Sequence, residues 1–489
     1  MGKWARGIII LGCLILILSF GSIEDVQAAG VISRISMAYD TTEANSDSYS
    51  SVISGDGNYI VFASFASNLV PNDTNNIADI FLYHRQTHQI TLVSKGLGNA
   101  PSNVESGYPS LSADGRYVVF QSSASNLVAN DTNNISDIFL YDRQTDSISR
   151  VSVSSDNEEA NNQSAYPTIS ADGRYVAFES YASNLVPSDT NNTSDIFVHD
   201  RQTGNTSLVS VNSNGEQGNN TSGLWSSLSA DGQHIAFSSL ANNLVANDTN
   251  NTWDIFVRDI QTNTTSLISI SFGESLWNGG STNPVISADG RYVAFQSEDV
   301  LVANDTNNTW DVFVYDRQTA QTTLISKAYD QPTTANGISE TPFISADGRY
   351  VVFSSSATNI VPNDTNGWVD IFQYDRQTAQ MTLITTPYDV TIPINGYYDS
   401  STPSISADGT QIAFSSRAYN LVSWDVNNFY DIFLYQPNSA PYDSLNIVHT
   451  EITQVIQDEQ NNVPLVKAKP TLIRIYPECV GCPPQGISG

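Results

Sequence analysis

"SADGRYVAF", residues 170–178, decides how the rest of the chain is read. Its Ala-Asp-Gly-Arg portion has the chemistry of a tight turn, with glycine supplying backbone freedom. Its Tyr-Val-Ala-Phe portion is β-branched and aromatic, which suits a strand. The stretch recurs with small changes. Its aspartate falls at Asp56, Asp114, Asp172, Asp231, Asp289, Asp347 and Asp408, at intervals of 58, 58, 59, 58, 58 and 61 residues. One supersecondary unit is therefore built seven times.

The second copy shows the grammar of the unit. "YPSLS" (108–112) precedes the turn, "YVVFQS" (117–122) follows it, and a long polar loop leads to "DIFLYD" (137–142). "RQTDS" turns the chain again into "ISRVSVS" (148–154). Four strands, A to D, in about 58 residues are the pattern of a propeller blade. Strands A to C occur seven times, but D follows only six of them, near 90–94, 148–154, 206–211, 265–270, 322–326 and 381–385. The orphan segment "VISRIS" (31–36) supplies the missing D strand. The expected fold is all-β: a seven-bladed β-propeller of four antiparallel strands per blade, closed by strand 31–36 joining the last blade. Closure removes the free edge that an open array would leave.

The "SADGRYVAF" turn and the "DIFVYDRQT"-like strand and turn resemble the TolB-like propeller repeat, a relative of the WD-type repeat. The resemblance covers residues 30–436 and implies the fold. It does not imply an activity, since propellers host binding modules, scaffolds and enzymes alike.

Residues outside the repeats read differently. Lys3 and Arg6 precede an apolar run from Gly7 to Phe20, and Val26-Gln27-Ala28 offers small residues for cleavage. Residues 1–28 are expected to be a signal peptide, a retained anchor being the alternative. Residues 437–489, with Cys479 and Cys482 near their end, are expected to be a C-terminal tail or a truncated β-module. The whole chain of 489 residues has 20 basic and 50 acidic side chains and a formal charge of −30. That balance argues against nucleic acid as a partner. It suits a protein outside the cytoplasm, secreted, periplasmic or at the cell surface, with no membrane contact after cleavage. A monomer is expected.

Each unit carries a polar knot, D-x-N-x-x-x-D, between strands B and C. The residues are Asp73, Asn75 and Asp79; Asp131, Asn133 and Asp137; Asp189, Asn191 and Asp195; Asp248, Asn250 and Asp254; Asp305, Asn307 and Asp311; Asp364, Asn366 and Asp370; and Asp425, Asn427 and Asp431. Two readings stand. The knot is a weak calcium site, because hard cations take carboxylate and amide oxygens. Or it is a staple, because Asp and Asn side chains accept backbone N–H groups two residues on.

B–C and D–A loops share one face of a propeller, and that face is expected to carry aromatic residues. Trp253, Trp310, Trp368 and Trp424 belong to the knots, and Trp225 and Trp277 to D–A loops. Flat rings beside acids suit a glycan or protein ligand. The chain has no G-x-S-x-G elbow and no H-E-x-x-H, and its five histidines are scattered. The sequence therefore reads as a non-enzymatic binding or scaffold propeller. The alternatives are a glycan-active propeller enzyme and a structural surface module lacking its effector domain.

Overall fold

The computed structural model describes residues 30–246, 248–273, 279–362, 364, 366–388 and 399–437, and the backbone of 446–453 and 472–478. The expected signal peptide, Trp277, Cys479 and Cys482 lie outside the described residues. Residues Val31–Gln436 form one compact unit. It contains seven four-stranded antiparallel sheets, the seven-bladed propeller that the repeats predict. In the other unit, Asn446–Thr453 pairs antiparallel with Leu472–Glu478.

Blade one shows the order: Ser48–Ile53 (A), Tyr59–Ser64 (B), Asp79–His84 (C) and Gln89–Leu92 (D). The D strands are four residues long, shorter than the sequence suggests. In blade seven the fourth strand is Val31–Arg34, paired from Val31 opposite Gln436 to Arg34 opposite Phe433. The closing strand is thus in place.

Each blade presents a buried phenylalanine from strand B and another from strand C. The pairs run from Phe62 and Phe81 to Phe414 and Phe433, with ring centroids 5.7–6.1 Å apart. The apolar layers lie between consecutive blades, because both faces of each sheet are covered. One layer joins Val61, Ile80 and Leu82 of blade one to Val118, Phe120 and Phe139 of blade two. Another joins Ile432 and Leu434 of blade seven to Ile60 and Phe62 of blade one. Burying such side chains drives folding, at about 1.5–3 kcal/mol for each large one.

Backbone hydrogen bonds also run around the ring. The turn alanines are linked from Ala113 to Ala171, Ala230, Ala288, Ala346 and Ala407, then to Gly55, at 3.0–3.2 Å, and Asp56 N–H returns to the Ala113 carbonyl. Arg116, Arg174, Arg291 and Arg349 of the "ADGR" turns each grip the aspartate that ends strand C, namely Asp142, Asp200, Asp316 and Asp375. The turn arginines are thereby committed to structure.

Candidate functional site

Strand A of every blade lines a central cavity of about 280 Å³. Each of these strands contains a bulge. In blade one Tyr49 pairs with Ala63 and Val52 with Val61, so two residues stand opposite one. A bulge re-aims a side chain. Left-handed backbone marks the bulges at Ser50, Tyr108, Tyr166, Leu224, Asn283, Thr341 and Thr402. Non-glycine residues rarely adopt it.

The bulges make the wall unequal. On one side, Tyr108 and Tyr166 meet edge to face at 4.8 Å, and Tyr166 meets Trp225 at 5.4 Å. Tyr108 and Trp225 are exposed, at 40% and 42%. Burial, and then the neighbouring Tyr108 and Glu179, push the Tyr166 phenol up to about 12, so it stays neutral and can donate. The rest of the ring supplies Asn283, Thr341, Thr402 and Ser50. Ser51 Oγ, Ser226 Oγ and Asn283 Oδ1 line the same cavity, buried and without a partner.

A second layer fixes this wall. Tyr166 N–H donates to Gln121 Oε1 at 3.0 Å, Thr341 N–H to Gln296 Oε1 at 2.8 Å, and Leu224 N–H to Glu179 Oε2 at 3.0 Å. Trp225, expected in a D–A loop, instead lies within strand Ser222–Leu228. The bulge displaces it into the channel.

The knots repeat one geometry. The closing aspartate accepts through Oδ1 from a hydroxyl two residues past strand D, at 2.5–2.6 Å: Ser94, Ser152, Ser210, Ser269, Ser326, Thr385 and Ser36. The asparagine at the third position accepts the N–H two residues on at 2.7–3.2 Å in all seven. The residue between them is left-handed, as Asn76, Asn134, Asn192, Asn251, Asn308, Gly367 and Asn428. Burial raises the closing carboxyls: Asp137, Asp195 and Asp254 to about 6, and Asp311 to about 7. Asp131, Asp137 and Glu159 place one oxygen each within 4.8 Å of one another. Arg150 already pairs with all three.

The knot tryptophans do not share one position. Trp253 and Trp310 are half-buried, and their carbonyls accept Ser281 N–H and Ser339 N–H of the next blade. Trp368 is 38% exposed and Trp424 is 85% exposed. The described histidines are held by neighbours outside the channel wall: His84 by Thr87, His88 by Tyr83, His199 by Thr206 and His234 by Asp259. Among the described residues no helix is long and apolar enough to cross a membrane.

No protein-family model and no curated protein matches the sequence. Solved structures do resemble it. An oligogalacturonate lyase from Vibrio parahaemolyticus has a TM-score of 0.48 at 13% identity, over 83% of this chain and 93% of that one. TolB from Acinetobacter baumannii has a TM-score of 0.36 at 13% identity, over 74% and 76%. Dipeptidyl peptidase 4 from Porphyromonas gingivalis has a TM-score of 0.44 at 14% identity, over 76% and 50%. The structural neighbours thus include both enzymes and a TolB propeller, and at these identities the likeness concerns the fold.

Proposed function

We propose that this chain is a non-enzymatic binding propeller, working outside the cytoplasm, that seats an uncharged saccharide in its central channel. The carrying observation is the aromatic arc of Tyr108, Tyr166 and Trp225 facing hydroxyl and amide groups across a wall whose bulged backbone repeats but whose side chains do not. Aromatic faces stack on the C–H faces of sugar rings, and the hydroxyl and amide groups suit sugar hydroxyls. Asp, Glu, His, Lys and Arg are absent from the described residues lining the cavity. That composition favours holding a ligand over acid–base chemistry. A net charge of −30 also disfavours an anionic ligand.

Calorimetry with a panel of neutral oligosaccharides tests this. Binding to one of them should be lost in Tyr166→Ala and Trp225→Ala and retained in Trp424→Ala. The exposed Trp368 and Trp424 favour a second reading, a glycan or protein ligand on the B–C and D–A loop face. Loss of binding in Trp424→Ala alone would replace the first reading with that one. Release of reducing ends from any ligand that binds would make the chain an enzyme.

A further inference from the structure

The seven knots differ at one point, and the difference is chemical. In blade three, Gln217 Nε2 donates to both Asp189 Oδ1 and Asp195 Oδ2 at 2.8 Å. In blade seven, Arg34 Nη1 stands 3.2 Å from Asp425 Oδ1 and 3.3 Å from Asp431 Oδ2. In blade two, Arg150 Nη1 stands 3.9 Å from Asp131 Oδ1 and 3.5 Å from Asp137 Oδ2. Oδ1 of the first aspartate and Oδ2 of the last therefore converge on one place, where blade three sets a donating amide and blades two and seven set a guanidinium counter-charge.

Blade five sets no arginine or glutamine there. Asp305 Oδ1 is buried without a hydrogen-bond partner, and besides the Ser326 hydroxyl on Oδ1 only the side chain of the knot's own Asn307 approaches Asp311, on residues 7% and 0% exposed. Blade four repeats the pattern with Asp248 Oδ1 and Asp254 Oδ2. The reason lies in the sequence. Arg150 and Arg34 stand opposite Phe139 and Phe433. At that register blades five and four have Leu324 opposite Phe313 and Leu267 opposite Phe256. The bridge position held by Glu159, Gln217 and Glu43 is Thr334 in blade five, whose hydroxyl meets Thr306 rather than the aspartates.

Two buried carboxylates without a counter-charge are costly. We propose that the knots of blades five and four each bind a divalent cation of the calcium class, at the place that blades two, three and seven fill with an arginine or amide nitrogen. Both donors are hard oxygens, which suit calcium or magnesium over softer metals. Calcium accepts irregular shells completed by water, whereas magnesium demands a near-ideal octahedron. Two carboxylates with water imply weak binding, roughly 0.1–1 mM, as in extracellular modules. The competing occupant is a proton shared by the two carboxyls.

Calcium chloride is titrated calorimetrically into the chelator-treated full chain. Two equivalents are expected to bind. Thr334→Gln copies the amide of blade three and should remove one equivalent while leaving the circular dichroism spectrum unchanged. Asp254→Asn should remove the other. Leu324→Arg, which copies blade two, should also remove one, and serves if Thr334→Gln folds poorly. Absence of calcium binding, or full stoichiometry in both Thr334→Gln and Asp254→Asn, would overturn the proposal and leave the proton as occupant.

Discussion

Ser36 donates a 2.6 Å hydrogen bond to Oδ1 of Asp431, joining residues 395 positions apart. The same Ser36 oxygen accepts the Ile432 N–H at 2.9 Å. Every other blade makes this pair of bonds from the segment just past its own D strand, as Ser94 does with Asp79 and Ile80. The ring is therefore fastened by the repeat's own chemistry. Two residues earlier, Arg34 meets Glu43, Asp425 and Asp431.

Ser36→Ala should cost about 1–3 kcal/mol, because it leaves a buried carboxylate oxygen and a buried N–H unpaired. Arg34→Ala should cost more, on the order of 3–5 kcal/mol, since it strands buried acids. Denaturant melts measure both. Deleting residues 31–36 should remove cooperative unfolding of blade seven, and a deletion as stable as the parent would refute closure by this strand.

Glycine in the "ADG" turn has two duties that can be separated. Gly115 has φ 64°, and a Cβ there would lie 2.4 Å from Cδ2 of Tyr59. That ring cannot retreat, because it is held between His84 at 4.6 Å and the Arg143 guanidinium at 4.2 Å. Gly204, in the turn between strands C and D of blade three, has φ 75° and open space around its would-be Cβ. Gly204→Ala should therefore cost only the left-handed penalty, about 1–2 kcal/mol. Gly115→Ala should cost clearly more in thermal melts, and equal losses would refute the role of the Tyr59 contact.

The ring was legible in the sequence because its parts recur. The interval of 58 to 61 residues, the seven A–B–C sets and the orphan "VISRIS" together predict seven closed blades. The channel wall was not legible, for the opposite reason. Its residues, Ser50, Tyr108, Tyr166, Trp225, Asn283, Thr341 and Thr402, have no type in common. A bulge in each A strand turns them inward, and nothing in strand alternation signals it. For that reason the pattern assigns Trp225 to a D–A loop, whereas it lies in strand Ser222–Leu228. The left-handed Asn76 and its counterparts are visible as the second Asn of an "NN" in six knots and as Gly367 of "NG" in blade six, a signal that only a turn-by-turn reading of the knot catches.

Stability should vary with pH in two opposed ways. Burial raises Asp137 and Asp195 to about 6, above their unfolded values. Their folded state binds protons more tightly, so the stability they contribute is present at low pH and lost as pH rises from about 4 through 6. Asp200 and Asp316 run the other way. Hydrogen bonds from Arg174 and Arg291 hold them near 2, so their contribution is present above about 4 and lost as pH falls toward 2. Melts in chelator should therefore show a maximum near pH 4–5 rather than at neutrality. Asp137→Asn should flatten the alkaline limb, and an unchanged limb would refute the assignment.

Glu179 tests whether the channel wall is positioned from behind. It is 8% exposed, accepts Ser194 Oγ at 2.8 Å through Oε1, and accepts the Leu224 N–H through Oε2. The latter bond holds the bulge that carries Trp225. In blades two and five the same service is done by the neutral Gln121 and Gln296. Burial raises the Glu179 carboxyl, so its charge is a burden at neutral pH. Glu179→Gln keeps an acceptor for Leu224 N–H and should match or exceed the parent's melting temperature at neutral pH. Glu179→Ala leaves that N–H unpaired and should cost about 1–3 kcal/mol. It should also weaken saccharide binding, although Glu179 is absent from the cavity lining. A Glu179→Gln variant as damaged as Glu179→Ala would show that the charge itself is needed and that the comparison with Gln121 and Gln296 fails.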